Sequence, residues 1–302
     1  MTVRAAVKSM RLRTLPLSVG GVLLGILLAA ADWKVDPWTA VLLVLTAASL
    51  QILSNLSNEL GDVLHGTDGA DRQGPSYGLN GGEMTIPQMK GLIAGAVVMC
   101  IVLGTAMTWR AFGTLLDLTP ILVLMLGAAA IAGAMKYTLG RNPYGYNAKG
   151  DFYVFLFFGL VAVLGSVFVC TVGAGMQWKL LLPASAVGFL SMGVLNVNNI
   201  RDMKTDAPNR RTVALKLGLR GARIYQSVLI ALAVGCMAAY CLLRWPSPWH
   251  WLWLLCLPLL GLHLKGVWTR EDRALDPMLP LLSLTTLLFC LLGGIGFCVY
   301  LL

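Results

Sequence analysis

The chain has 302 residues, 57% of them hydrophobic and only 12% charged, with a mean hydropathy of +0.75, a balance that excludes a water-soluble globule. The net charge of +9 suits a surface facing anionic lipid better than a nucleic-acid-binding face. Cys100, Cys170, Cys236, Cys241, Cys256, Cys290 and Cys298 lie inside apolar stretches without a paired CxxC spacing, so they read as small buried hydrophobes and not as a disulfide framework.

At the N-terminus, Arg4, Lys8, Arg11 and Arg13 precede an apolar run. No small-residue cleavage site follows, so the segment reads as a basic, amphipathic approach to a first span and not as a removable signal. Stretches long and apolar enough to cross a bilayer, about 20 residues each, then fall at roughly 15–31, 38–60, 87–109, 119–139, 152–172, 179–199, 222–243, 249–267 and 277–301. The expected fold is therefore all-α, a polytopic membrane protein of nine transmembrane helices forming one domain over residues 1–302. The first span is short, and the eighth carries Pro258 and His263 and is open to a kink.

Placing the N-terminus inside puts 19 Lys and Arg on the inner side and 4 on the outer, which sets the N-terminus in the cytoplasm and the C-terminus outside the cell membrane. Trp33, Trp38, Trp109, Trp178, Trp245, Trp249, Trp251 and Trp253 fall at ends assigned to the outside, as an interfacial aromatic belt does. The inner side holds 11 of the 14 acidic residues. Chemistry is accordingly expected at cytoplasmic loops near 61–86, 137–151 and 200–220.

After the second span, Asn55, Asn58, Glu59 and Asp62 follow i, i+3, i+4 and i+7 and so share one helix face; Gly66, Gly69 and Gly74 then break the helix and leave Asp68 and Asp71 on a loop. After the sixth span, Asn198, Asp202 and Asp206 recur at i, i+4 and i+8. Asn58-x-x-x-Asp62 and Asn198-x-x-x-Asp202 thus stand 140 residues apart. Carboxylates and amide oxygens without Cys or His partners suit a hard cation such as Mg²⁺. That ion keeps waters and shares its shell with phosphates, so acids flanked by Arg72, Lys136, Arg141, Lys204, Arg210 and Arg211 describe a diphosphate site. Solvated loops would explain any single Asp, but two matched stripes beside a bilayer are costly unless they have work. The loop "KYTLGRNPYGYNAKGD" (136–151) joins Tyr137, Tyr144 and Tyr146 to Lys136, Arg141 and Lys149; it suits an aromatic acid, with interfacial anchoring as the plainer alternative.

These motifs resemble the UbiA superfamily of intramembrane aromatic prenyltransferases. "RLRTLP" (11–16), "NELGDVLHGTDGADRQGP" (58–75), "YTLGRNPYGY" (137–146) and "NNIRDMKTDAPNRRTVALKLG" (198–218) are similar to the branch of that superfamily acting in menaquinone synthesis. The resemblance implies a nine-helix chamber in which a polyprenyl group passes from polyprenyl diphosphate to 1,4-dihydroxy-2-naphthoate, with loss of CO₂, giving demethylmenaquinone. It implies Mg²⁺ held by Asn58, Asp62, Asp202 and Asp206, with Glu59, Asn198 and Asp68 assisting. It makes Asp62 and Asp202 catalytic with Arg72 and Lys136, and sets Asn55, Tyr137, Arg141, Tyr146, Lys204, Arg210 and Arg211 against the substrates. Departures exist: Glu59 replaces the usual Asp, His65 a common Lys, Thr67 an acid, and Asn209-Arg210-Arg211-Thr212 the usual Gly-Lys-Arg-Thr. No general base stands out, His65 being a candidate only by elimination. Two other readings remain: another aromatic acceptor (4-hydroxybenzoate, homogentisate, a chlorin), or a transporter, although carriers usually place their ligands near the midplane.

Overall fold

The computed structural model describes residues 2–66, 75–207, 210–244 and 246–299. It begins with a short amphipathic helix, α1 (Val3–Met10), capped by the Thr2 hydroxyl. The chain turns at Arg11 in a left-handed conformation (φ 49°), and a 3-10 turn leads into α2 (Leu15–Ala30). There follow α3 (Pro37–Leu64), α4 (Ile86–Phe112), α5 (Leu118–Lys136), α6 (Gly150–Thr171), α7 (Leu181–Arg201), the single turn α8 (Met203–Asp206), α9 (Val213–Leu242), α10 (Leu257–Thr269) and α11 (Met278–Cys298). Among the described residues, nine helical runs are long and apolar enough to cross a membrane, and no strand is present.

The runs differ from the hydropathy pattern where charge hides helix. α9 starts at Val213, well before its apolar stretch: a first turn capped by the Thr212 hydroxyl carries Lys216, the backbone kinks at Gly218 (φ 68°), and the helix resumes with Arg220 and Arg223. In the eighth run, Pro258 occupies the first turn of α10, where its missing N–H costs nothing, and a 3-10 stretch, Pro248–Cys256, precedes it. His263 is fully buried between Gln226 and the Met278 carbonyl.

The core lies where α2, α7, α9 and α11 pack, around Leu24, Leu190, Met237, Trp253, Phe289 and Phe297. A second cluster seats α1 on α3 through Ala5, Leu53, Leu56 and Leu60. α4 and α5 instead turn Val98, Ile101, Val102, Leu122 and Met125 outward, as helices facing hydrocarbon do. The thin wall formed by α5 therefore has lipid on one side and the interior cavity on the other.

Candidate active site

α3 runs unbroken to Leu64, so Asn58 and Asp62 stand one turn apart on one face of its end. Between them, Gly61 leaves no room for a side chain: a Cβ there would lie 2.5 Å from Thr138 Oγ1. This close approach seats the loop after α5 on the helix end, where Thr138 Oγ1 donates to the Ser57 carbonyl (2.9 Å) and lies 3.3 Å from Asn58 Oδ1. Tyr146 donates its hydroxyl to Asp62 Oδ1 at 2.7 Å. The same loop is tied to the segment after α8, since the Ala148 N–H donates to the Arg211 carbonyl (2.7 Å) and the Arg211 N–H to the Tyr146 carbonyl (3.0 Å). That bridge fixes Arg210. Its guanidinium covers the Tyr146 ring at 4.5 Å, and its Nη1 lies 3.8 Å from Asp62 Oδ1 and 3.7 Å from Asp206 Oδ1. One cation therefore joins acids from two distant parts of the chain.

α7 ends at Arg201, with Asp202 as its C-cap, and Asp206 follows on α8. The expected straight stripe is thus bent, although the Asp202 N–H to Asn198 carbonyl bond (3.0 Å) and the Asp206 N–H to Asp202 carbonyl bond (2.8 Å) preserve its spacing. Arg201 is buried and donates from Nε to Asp202 Oδ1 (2.8 Å) and from Nη2 to Asp202 Oδ2 (2.6 Å) and Asn198 Oδ1 (2.9 Å). Asp206 is buried, and its Oδ2 has no partner among the described residues. Burial pushes its carboxyl up to about 6; Arg210 opposes the rise, and Asp202 and Asp62 add to it.

Both helix ends meet one cavity of about 420 Å³, whose polar end includes Asn58, Asp62, Asn198 and Arg210. The rest is mostly apolar, with an aromatic wall: Tyr137 and Tyr144 pack edge to face at 5.4 Å, Tyr144 and Tyr153 lie 4.0 Å apart, and Phe157 continues the row. Arg11 and Arg13 also line the cavity. The Arg11 guanidinium sits over the Tyr77 ring at 4.0 Å, and its Nε and Nη2 are buried without a partner among the described residues; Arg13 Nη2 donates to the Tyr77 hydroxyl (2.8 Å). Sequence reasoning placed neither arginine in the site. The available signal was a basic pair directly before the short first span.

The expected residues fall into four groups. Asn58, Asp62, Asn198, Asp202, Asp206, Tyr137, Tyr146 and Arg210 gather at or around the polar end. Asn55 and Glu59 turn to structural partners instead: Asn55 Nδ2 donates to the Met10 carbonyl (2.8 Å) and Thr14 Oγ1 (2.9 Å), and fully buried Glu59 accepts on Oε1 from the N–H groups of Leu79 (2.7 Å) and Asn80 (3.2 Å). Lys136, Arg141 and Arg211 are exposed, and Lys204 is exposed and paired with Asp272 at 2.6 Å. Lys136 ends α5 and Lys204 rides on α8, while Arg141 and Arg211 lie on loops, and all four long side chains reach outward to water. Asp68 and Arg72 lie outside the described residues. His65 packs edge-on to Tyr146 at 5.1 Å, with Nδ1 2.8 Å from the Gly61 carbonyl.

The donor set fits a hard divalent cation. Carboxylate and amide oxygens converge without soft ligands, and the buried, unpartnered Asp206 Oδ2 is an acceptor in want of a cation. Among the described residues no three Asp, Glu, His or Cys groups close into a cage by themselves. The amides, water or a ligand's own oxygens would complete the shell, as hard octahedral ions require.

Fold and site together define a multi-pass membrane protein with an apolar cavity that ends in acidic and amide groups beside a buried cation. Its relatives agree. The model of the UbiA prenyltransferase family matches residues 18–285. A 1,4-dihydroxy-2-naphthoate octaprenyltransferase of Escherichia coli (strain K12) is 38% identical over 91% of this chain and 89% of its own length; one of Mycobacterium tuberculosis is 36% identical over 93% and 91%. Among solved structures, an apo UbiA homolog from Aeropyrum pernix K1 has a TM-score of 0.69 at 17% identity, covering all of both chains. A homolog from Archaeoglobus fulgidus, bound to GPP and Mg²⁺, has a TM-score of 0.61 at 17% identity, covering 95% and 99%. The chain belongs to the UbiA prenyltransferase family.

Proposed function

We propose that the chain transfers a polyprenyl group from polyprenyl diphosphate to 1,4-dihydroxy-2-naphthoate, releasing diphosphate and CO₂ and giving demethylmenaquinone in its reduced form. The observation that carries this is Arg210, at the polar end of an apolar cavity, lying between Asp62 and Asp206. Relatives at 38% and 36% identity bear that activity in their names.

Asn58, Asp62, Asn198, Asp202 and Asp206 are the residues that would hold Mg²⁺. Bound there with the diphosphate, the ion supplies charge neutralisation to the leaving oxygens. Arg210 adds a fixed cation beside the same oxygens. As the allylic C–O bond breaks, the positive charge left on the prenyl carbon faces the rings of Tyr137, Tyr144 and Tyr153, whose π-faces favour a cation while excluding water. Arg11 and Arg13, which also line the cavity, are placed for the acceptor's carboxylate; the Nε and Nη2 of Arg11, without a partner among the described residues, supply two donors in the fork geometry a carboxylate accepts. The ring carbon bearing that carboxylate takes up the prenyl cation, and the carboxylate's electron pair returns to the ring as CO₂ departs.

The excess of Lys and Arg at this end of the bundle supports a cytoplasmic site. Purified protein given Mg²⁺, a polyprenyl diphosphate and a choice of acceptors tests the reading. Prenylated naphthoquinol with release of CO₂, abolished by chelator, is the expected result. Prenylation of 4-hydroxybenzoate in preference to the naphthoate overturns the acceptor assignment. Flux across proteoliposomes without product overturns the chemistry.

A further inference from the structure

The two acidic helix ends differ in one respect that the reaction alone does not require. Every Asp202 side-chain oxygen is already engaged: Oδ1 accepts from Arg201 Nε, and Oδ2 from Arg201 Nη2 and, at 3.2 Å, from Asn198 Nδ2. Arg201 also holds Asn198 Oδ1. Its remaining nitrogen, Nη1, donates at 2.8 Å to Asp276 Oδ1, on the loop between α10 and α11. Arg201 is 4% exposed and Asp276 38%, so a buried guanidinium bridges an inner carboxylate and an outer one.

A guanidinium and a divalent cation compete for the same lone pairs and repel each other, so Arg201 stands in the way of any ion that uses Asp202 and Asn198. A second carboxylate lessens the conflict by drawing the guanidinium's charge outward. We propose that Asp276 is a positioning residue for the cation site: it anchors Arg201 so that Asp202 and Asn198 can be shared with a divalent cation. Arg201 then fills the oxygens when no cation is present and yields them, without losing its own partner, when one arrives. This rests on the metal–diphosphate reading above. It assigns a role in that site to Asp276, on the loop after α10, 70 residues or more from either acidic motif in the sequence.

The test is Mn²⁺ binding to the purified, detergent-solubilised protein with inorganic pyrophosphate, followed by electron paramagnetic resonance. Neither isoprenoid nor aromatic acceptor is present, so a mistaken acceptor assignment does not touch the outcome. In Asp276→Asn the Mn²⁺ concentration for half-saturation is expected to rise about tenfold, the usual scale for losing an outer partner of a ligand, and Asp276→Glu should restore most of it. In an Arg201→Gln background, adding Asp276→Asn should change it less than about twofold, as for a residue acting only through Arg201. Unchanged affinity in Asp276→Asn overturns the proposal. A loss of the same size in the Arg201→Gln background also overturns it, since Asp276 would then act as a distant charge. If Arg201→Gln does not give a monodisperse, cooperatively melting protein, Arg201→Lys takes its place. Failure of the unaltered protein to bind Mn²⁺ with pyrophosphate overturns the metal–diphosphate reading and this proposal together.

Discussion

The ends of α3 and α7 carry the same spelling, Asn-x-x-x-Asp, yet they are built by opposite means. Asp62 is held from outside its helix, by the Tyr146 hydroxyl and by Arg210, both from loops far along the chain. Asp202 is held by its own neighbour, Arg201, and by Asn198 one turn back. The first end is assembled only when the loops after α5 and α8 bridge each other; the second is preformed by the helix that bears it. A repeated motif therefore need not mean a repeated role. The α3 end depends on tertiary closure, while the α7 end depends on release of a local ion pair.

Breaking either carboxylate should give the largest effects. Asp62→Ala and Asp202→Ala are each expected to lower kcat by at least about 10²-fold, the scale for deleting a group that stabilises developing charge, measured as prenylated product under saturating substrates. Arg210→Met comes next, with a loss of about tenfold to a hundredfold. It leaves Asp62 and Asp206 facing each other without their shared cation, in a site where burial already disfavours charge on Asp206. Tyr146→Phe sharpens the comparison, because it touches the α3 end alone. About tenfold weaker cation binding is expected there, with the α7 pairs intact, and equal losses from a conservative change at each end would refute the asymmetry.

How far this was legible in the sequence follows from the range of the forces. Nine spans could be read because apolar length is a local property, and the two acidic faces could be read because helical spacing is local too. Glu59 and Asn55 sit on the correct face but are claimed by partners the pattern does not contain: the backbone of Leu79 and Asn80 for one, the turn after α1 for the other. Arg11 entered the cavity because the chain takes a left-handed conformation there, which for a non-glycine residue leaves little local trace. Asp276 carries no motif at all; only packing brings its loop to the end of α7.

The smallest expected effect lies at the opposite end of the bundle and separates ion pairs that work from ion pairs that hold. Asp36 caps α3 through the Thr39 N–H (2.9 Å) and receives two bonds from Arg110, from Nε at 2.9 Å and Nη2 at 2.7 Å. It is the same chemistry as Arg201 with Asp202, but exposed to solvent. The Arg110 bonds, and then the cap, hold the Asp36 carboxyl far below the usual carboxylate range. A lowered folded value means that the stabilisation is complete above the unfolded carboxylate's pKa of about 4 and is lost only as pH falls through the folded value. Asp36→Asn should therefore lower the melting temperature slightly, by the same amount at pH 5 and pH 8, and leave prenyl transfer unchanged. A deficit that changes between those two pH values would mean that Asp36 titrates above pH 5, and that the Arg110 pair does not hold it in its charged form.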